Sequence, residues 1–192
     1  INPSPYMFYC DFPDFTITGS SPEIMVKTDQ GKITVRPLAG TRKRGKSRAE
    51  DEILAKELLN DKKELAEHLM LIDLGRHDVG RVAAMSSVKL KQKMIIEYYS
   101  HVMHISSTIE GKLQAGCDVI DALAASFPAG TVSGAPKLKA VELIAQLEPE
   151  KRQFYAGTVG YFSAQNGQMN FAIMLRTALI KAQKIYLQAG AG

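Results

Sequence analysis

Glu23-Ile-Met-Val-Lys-Thr28, Asp29-Gln-Gly31 and Lys32-Ile-Thr-Val-Arg-Pro37 read in succession as strand, turn and strand. Two runs rich in β-branched residues flank a short polar break, and Gly31 falls where a tight hairpin needs positive φ. Working outward, Tyr6 to Phe12 is aromatic and apolar and Phe15-Thr-Ile-Thr18 alternates, so two short strands precede the hairpin. Pro37-Leu-Ala-Gly-Thr41 follows it as a small-residue loop.

Two helices come next. Ser47-x-x-Glu50 and Asp61-x-x-Glu64 are capping boxes, the first before Asp51 to Leu59 and the second before a helix that runs to about Leu74. Leu65, Leu69 and Ile72 supply the apolar stripe of the second helix, and Gly75 to Arg81 reads as a charged turn. Met85 to Met94 holds a strand or two, and Glu97 to Ile109 alternates as one strand. Cys117 to Phe127 is a helix with Asp118 near its start. Phe127 to Pro136, FPAGTVSGAP, is a glycine-rich loop, and Pro136 suits the first position of the helix that follows to Leu147. Phe154 to Phe162 is a strand carrying two glycines, Asn166-Gly167 is a hairpin turn, Gln168 to Ile180 is the return strand, and Lys184 to Gln188 is a last strand entering Ala189-Gly-Ala-Gly192.

Composition bounds the function. With 192 residues, 45% hydrophobic and 23% charged, the chain holds one substantial core, and its net charge of +4 suits an anionic small molecule as well as nucleic acid. Cys10 and Cys117 are isolated and lack metal-ligand spacing, which argues for a reducing compartment, with the cytoplasm as the default expectation. No apolar run approaches the roughly 18 residues of a membrane span. Arg42 to Arg48 places five cationic side chains in seven residues, but no aromatic residue is interleaved for base stacking. A solvated loop, or a source of positive potential for an anion, is the preferred reading. Ile1 is not an initiator residue, so the chain is read as a segment cut from a longer polypeptide.

Four features carry possible chemistry. The glycine-rich loop entering a helix can point N–H groups at an anion, though its spacing is not that of a P-loop. Glu64 and Glu67 share a helix face, where their repulsion of about a few tenths of a kcal/mol calls for solvent or a cation. They are either two exposed glutamates or a pair of hard oxygen ligands for Mg²⁺. His101 and His104 face opposite ways on one strand, so one belongs in a site or the core and the other outside. Arg176, in an apolar strand, must meet a carboxylate of protein or ligand.

Several stretches together resemble the chorismate-utilising enzyme family, most closely its anthranilate synthase component I branch. They are Asn2 to Phe8, Arg36 to Arg42, Lys63 to Leu74, Tyr99 to His104, Gly130 to Lys137, Gly157 to Tyr161 and Gln188 to Gly192. The resemblance spans the chain in order. It implies an α+β fold of antiparallel β-sheets packed face to face with helices outside, of which residues 1–192 are part of one catalytic domain cut at both ends. It implies that His104 is catalytic, with Thr41 and Glu64 beside it; that Gly40, Thr41, Thr131, Tyr155, Arg176, Gly190 and Gly192 bind the substrate; and that Glu64 and Glu67 hold Mg²⁺. Pro5, Tyr6 and Met7 fall in the motif that lines a tryptophan inhibitor pocket.

The implied reaction adds ammonia, supplied from glutamine by a partner amidotransferase subunit (component II), to chorismate and releases pyruvate to leave anthranilate. Ala39 favours this direct addition, because relatives that make aminodeoxychorismate commonly carry lysine there. Aminodeoxychorismate synthase, isochorismate or salicylate synthase, and a non-catalytic module docking the glutaminase subunit stay open as alternatives. In the family a second pair of metal-site glutamates and a substrate lysine follow the Gly-Ala-Gly turn. The 192-residue chain alone is therefore expected to be inactive with chorismate, and measurable turnover by a verified preparation would contradict this.

Overall fold

The structure, a computed structural model, describes residues 4–163 and 167–190. The N-terminal strands are β1 (Tyr6–Phe12), β2 (Phe15–Ser21), β3 (Ile24–Asp29), β4 (Lys32–Val35) and β5 (Leu38–Lys43). Helices α1 (Arg48–Leu58) and α2 (Lys62–Gly80) lead to β6 (Lys89–Tyr98) and β7 (Val102–Lys112). Three helices, α3 (Val119–Ser126), α4 (Gly130–Ser133) and α5 (Lys137–Leu147), precede β8 (Thr158–Phe162), β9 (Met169–Ile173), β10 (Thr177–Lys181) and β11 (Lys184–Leu187).

The strands make two wholly antiparallel sheets. The smaller has the order β1-β2-β10-β11 and the larger β5-β7-β4-β3-β9-β8, with β6 also on β7. β4 and β5 lie end to end along one edge of β7, pairing Val35 with Ile109 and Ala39 with Ile105. Pro37 bridges them, its carbonyl accepting from Ser107 N at 3.3 Å. Since β6 pairs with residues 103–110 of β7, it occupies the opposite edge.

Helices cover one face of the larger sheet. Val26, Ile33, Val35 and Ile109 pack against Val79 of α2, Ala122 and Ala125 of α3 and Val132 of α4. A second cluster joins Ala55 and Leu58 of α1 to Met103 and Ile105 of β7. The fold is thus the expected α+β arrangement of antiparallel sheets and helices. The hairpin at its centre forms as read, with Gln30 and Gly31 both at positive φ in the turn.

Several local expectations are corrected. Helix α2 continues through Gly80 instead of stopping at Leu74. Gly75 serves packing, not turning: a Cβ there would lie 3.2 Å from side-chain atoms of both Ile109 and Val35. Pro37 to Thr41 is no loop, because Leu38 onward pairs with β7. Glu97 to Ile109 is two strands joined at Tyr99 to His101, where Tyr99 N bonds to Val102 O at 2.8 Å. Strand β8 starts only at Thr158, which leaves Tyr155 in a turn. The run from Gln168 to Ile180 breaks between Ile173 and Thr177 as the chain passes from the larger sheet to the smaller. Within the glycine-rich stretch Gly130 to Ser133 forms one helical turn, and Pro136 is the N-cap of α5 rather than its first residue. Asn166 lies outside the described residues.

Gly111 of β7 passes under α2, where an added Cβ would meet Val79 Cγ1 at 2.7 Å and Ala83 Cβ at 2.9 Å. Gly111→Ala is expected to cost about 1–3 kcal/mol of stability by overpacking, read as a lower denaturant midpoint in equilibrium unfolding.

Candidate functional site

The ladder between β5 and β7 is interrupted at Gly40. Register shifts between the Ala39–Ile105 and Thr41–His104 pairs, and Gly40 takes φ +67, a bulge conformation that suits glycine. The bulge aims the Gly40 carbonyl at the imidazole of His104, with Nδ1 to O at 3.1 Å; Thr41 Oγ1 lies 3.0 Å from the same nitrogen. A carbonyl only accepts, so Nδ1 carries the proton and Nε2 keeps its lone pair. The Tyr99 ring meets the imidazole edge-on, with centroids 5.6 Å apart. Burial lowers the His104 pKa, as does the positive charge of Arg176, while the bond to Gly40 opposes them. A neutral imidazole with a bare nitrogen is the form suited to accept a proton.

Arg176 stands at the break between β9 and β10 with φ +49 and an exposed side chain, which corrects the expectation of a buried strand arginine. Its Nη1 reaches Ser4 Oγ at 3.3 Å. It stands exposed beside His104.

Glu64 approaches from the first turn of α2. The helix is capped by Asp61, whose Oδ1 accepts from the backbone N–H of Lys63 and Glu64, and the Glu64 side chain turns towards β5. A Cβ on Gly40 would lie 3.2 Å from Glu64 Oε2, and Glu64 Oε1 is 3.8 Å from Arg42 Nη1. Glu67 is exposed one turn on. Among the described residues no three His, Cys, Asp or Glu side chains are grouped to hold a metal. The donor chemistry fits part of a Mg²⁺ shell, since that ion takes one or two carboxylates and fills its other positions with water or substrate oxygens.

Three of the five cations in the basic run pair with acids, which revises the solvated-loop reading for Arg42 and Arg44, while Arg48 and Glu52 stay exposed. Arg42 pairs with Glu57 and Asp61, Arg44 grips Asp51 at 2.6–3.1 Å, and Arg48 meets Glu52.

A second group of residues lies further along β3, α4 and the turn before β8. Sequence reading passed over Glu23. It is 6% exposed, and burial pushes its carboxyl up to about 8, against an ordinary value of 4.5, although Leu38 N donates to Oε1 at 3.2 Å. Thr131 of α4 adjoins that carboxyl as a neighbour; its hydroxyl does not reach hydrogen-bond geometry. Glu23, Arg36 and Thr131 border a cavity of about 40 Å³, room for a water but not for a ring. Tyr155 donates its hydroxyl to Gly190 O at 2.9 Å. The signal for Glu23 was available: an acid at the head of the apolar Ile24-Met-Val26 calls for the reasoning applied to Arg176.

The two groups are joined through Glu23. Its carboxyl holds Leu38, two residues before Gly40, and its carbonyl accepts from Ile173 N at 3.1 Å, three residues before Arg176. Gly40, Thr41, His104 and Glu64 lie together with Arg176 beside them, while Thr131 adjoins Glu23 and Tyr155 meets Gly190. His101 is exposed in its turn. Pro5 and Met7 are exposed, and Tyr6 is half-buried, which raises its phenol pKa. Gly192 lies outside the described residues. A groove of about 1040 Å³ near Lys112 and Cys117 contains none of these residues.

Two antiparallel sheets flanked by helices thus bring a histidine and the Glu64 carboxylate to a strand bulge, with an exposed arginine beside the histidine. The chain belongs to the chorismate-binding enzyme family, whose pattern matches residues 1–192. It is 58% identical over 191 residues to anthranilate synthase component 1 of Cereibacter sphaeroides, covering 100% of this chain and 38% of that protein. Anthranilate synthase component I from Streptococcus pneumoniae superposes with a TM-score of 0.90 at 47% identity, over 99% of this chain and 41% of that one. The menaquinone-specific isochorismate synthase of Escherichia coli gives 0.83 at 25% identity, over 93% and 41%. The chain thus spans about two fifths of the length of these relatives.

Glu23 ties stability to pH. Folding raises its pKa from 4.5 to about 8, so the folded state holds the extra proton between those values. Its contribution is full below pH 4.5 and is lost as pH rises towards about 8. Glu23→Gln is expected to flatten the decline in unfolding free energy across that window, checked by urea titrations at several pH values; an unchanged slope would assign the decline to other groups.

Proposed function

We propose that this chain is part of the catalytic domain of an anthranilate synthase component I, converting chorismate and ammonia to anthranilate and pyruvate in tryptophan biosynthesis. The observation that carries the reading is His104, held with Nδ1 protonated by the Gly40 carbonyl and Nε2 bare, within the field of Arg176. The similarity to anthranilate synthases along the whole chain supports the choice of product.

Chorismate is a dianion. Arg176 binds one carboxylate through its planar fork, and N–H groups at the Gly40 bulge and at Gly190 take oxygens. Thr131 and Tyr155 frame the other side. In the first step a C2–N bond forms as the C4–O bond breaks. Glu23, protonated at neutral pH, passes a proton towards the departing hydroxyl through the water-sized cavity it borders, and His104 Nε2 accepts the proton that the attacking nitrogen sheds. Removal of the C2 proton with cleavage of the ring C3–O bond then expels enolpyruvate, which takes up a proton at its methylene carbon to become pyruvate, and leaves the aromatic amine.

Glu64 and Glu67 would hold Mg²⁺, which neutralises carboxylate charge when bound. Ammonia would come from a glutamine amidotransferase partner. Ala39, facing Ile105 across the ladder, offers no nucleophile and favours direct attack by ammonia. Pro5, Tyr6 and Met7 would line a tryptophan pocket whose occupancy reaches the site through Ser4 and Arg176.

The parent polypeptide, given chorismate, ammonium and Mg²⁺, is expected to release anthranilate and pyruvate. His104→Ala should lower kcat by about 10²–10⁴-fold. Aminodeoxychorismate retained without pyruvate release, identified by chromatography and mass, would reject the anthranilate assignment.

A further inference from the structure

Arg152 lies in the turn before β8 and has no part in the chemistry above, yet its guanidinium touches what surrounds three of the substrate-binding positions. Nε lies 3.0 Å from each carboxylate oxygen of Glu148, and Nη2 lies 2.6 Å from Oε1. Nη1 donates to the carbonyl of Val132, the residue after Thr131, at 2.5 Å. The guanidinium carbon stands 5.5 Å from the centroid of the Tyr155 ring. Tyr155 in turn donates to Gly190 O, and a Cβ on Gly190 would lie 3.1 Å from Arg152 Nη2, 3.2 Å from Tyr155 Cε1 and 3.3 Å from Glu148 Oε1. The arginine side chain is 14% exposed.

We propose that Arg152 is a positioning residue of the substrate site: clamped by Glu148, it sets the mutual spacing of the Thr131 turn, the Tyr155 ring and Gly190. A planar fork with donors on three sides can bond a carboxylate, reach a carbonyl and stack on a ring at once; an ammonium cannot. The Glu148 carboxylate removes the fork's freedom, so the carbonyl and the ring inherit a fixed reference. The three positions belong to segments far apart in sequence, α4, the turn before β8 and the stretch after β11, and the Arg152 side chain reaches each of these segments. The ligand's identity as chorismate rests on the proposed function; the positioning role rests on the contacts alone.

The test uses the full-length parent enzyme with Arg152→Lys, Glu148→Gln and the double substitution. If Arg152 positions ground-state contacts, Arg152→Lys raises KM for chorismate by about tenfold or more and leaves kcat within about twofold. Glu148→Gln moves KM the same way, and the double variant is no worse than Arg152→Lys, because the two act as one unit. The unfolding temperature stays at the unaltered value. An unchanged KM in Arg152→Lys, or a loss of affinity that tracks a loss of thermal stability, overturns the proposal.

3-Fluorotyrosine at position 155 gives a readout without substrate. One sharp ¹⁹F resonance in the parent should broaden or double in Arg152→Lys, and a resonance that stays single and sharp also overturns the proposal. If the resonance responds as expected but the parent binds no chorismate, the positioning role stands and the chorismate reading fails.

Discussion

The bulge at Gly40 is the constraint on which the site depends. A regular β5–β7 ladder would spend the Gly40 carbonyl on strand pairing; with φ +67 it is delivered to a side chain instead. The same bend brings the Gly40 Cα close to Leu58, Ile105 and Glu64, where a Cβ would lie 3.1–3.2 Å from each. One glycine thus fixes the histidine tautomer, the approach of α2 and the distance between an imidazole and a carboxylate. The rest of the larger sheet holds β5 and β4 in line so that the bulge falls opposite His104.

Helix α2 must keep its own register against β7 for Glu64 to arrive there. His68, fully buried, supplies that restraint: its Nε2 lies 2.8 Å from Ser107 Oγ, which also accepts from Met94 N on β6. Burial depresses the His68 pKa to about 4, so the pair is a neutral hydrogen bond and adds no buried charge. Further along the helix, Asp78 meets Lys137 at 2.8 Å, and the same ammonium donates to Ser126 O. With about nine tenths of each side chain buried, removing either partner would strand a charge, so the pair fixes geometry more than it adds net stability. Two polar contacts therefore pin the helix, one near the chemistry and one at the glycine-rich turn, while Val79, Leu71 and Ile72 provide the apolar seal.

The strands and their antiparallel pairing were legible because their signals are local. Alternation, a glycine at positive φ and caps at Ser47 and Asp61 depend on near neighbours alone. What misled was tertiary. Gly75 resembles a turn until Ile109 and Val35 are seen beneath it, and Arg176 reads as a buried strand residue until the chain changes sheets there. His104 could be ranked above His101 only by family resemblance, since alternation treats the two alike. For Glu23 the sequence signals only an acid at the head of an apolar run; the surroundings that raise its pKa include Leu38 and Thr131, residues remote in sequence that no spacing rule brings together.

The arrangement of charge follows from where the sheets part. Between Ile173 and Thr177 the chain leaves the larger sheet for the smaller, and Ser20 N bonds to Arg176 O at 3.2 Å, so the arginine backbone is held by β2 while its charge faces His104. A residue inside either sheet would be masked by a neighbouring strand; at the seam it is exposed and still anchored. Glu23 occupies the complementary position, at the head of β3 just after β2 ends, and is buried where Arg176 is open. Burial raises the pKa of the acid while the guanidinium stays exposed, and these two opposite environments arise at the same crossing between sheets.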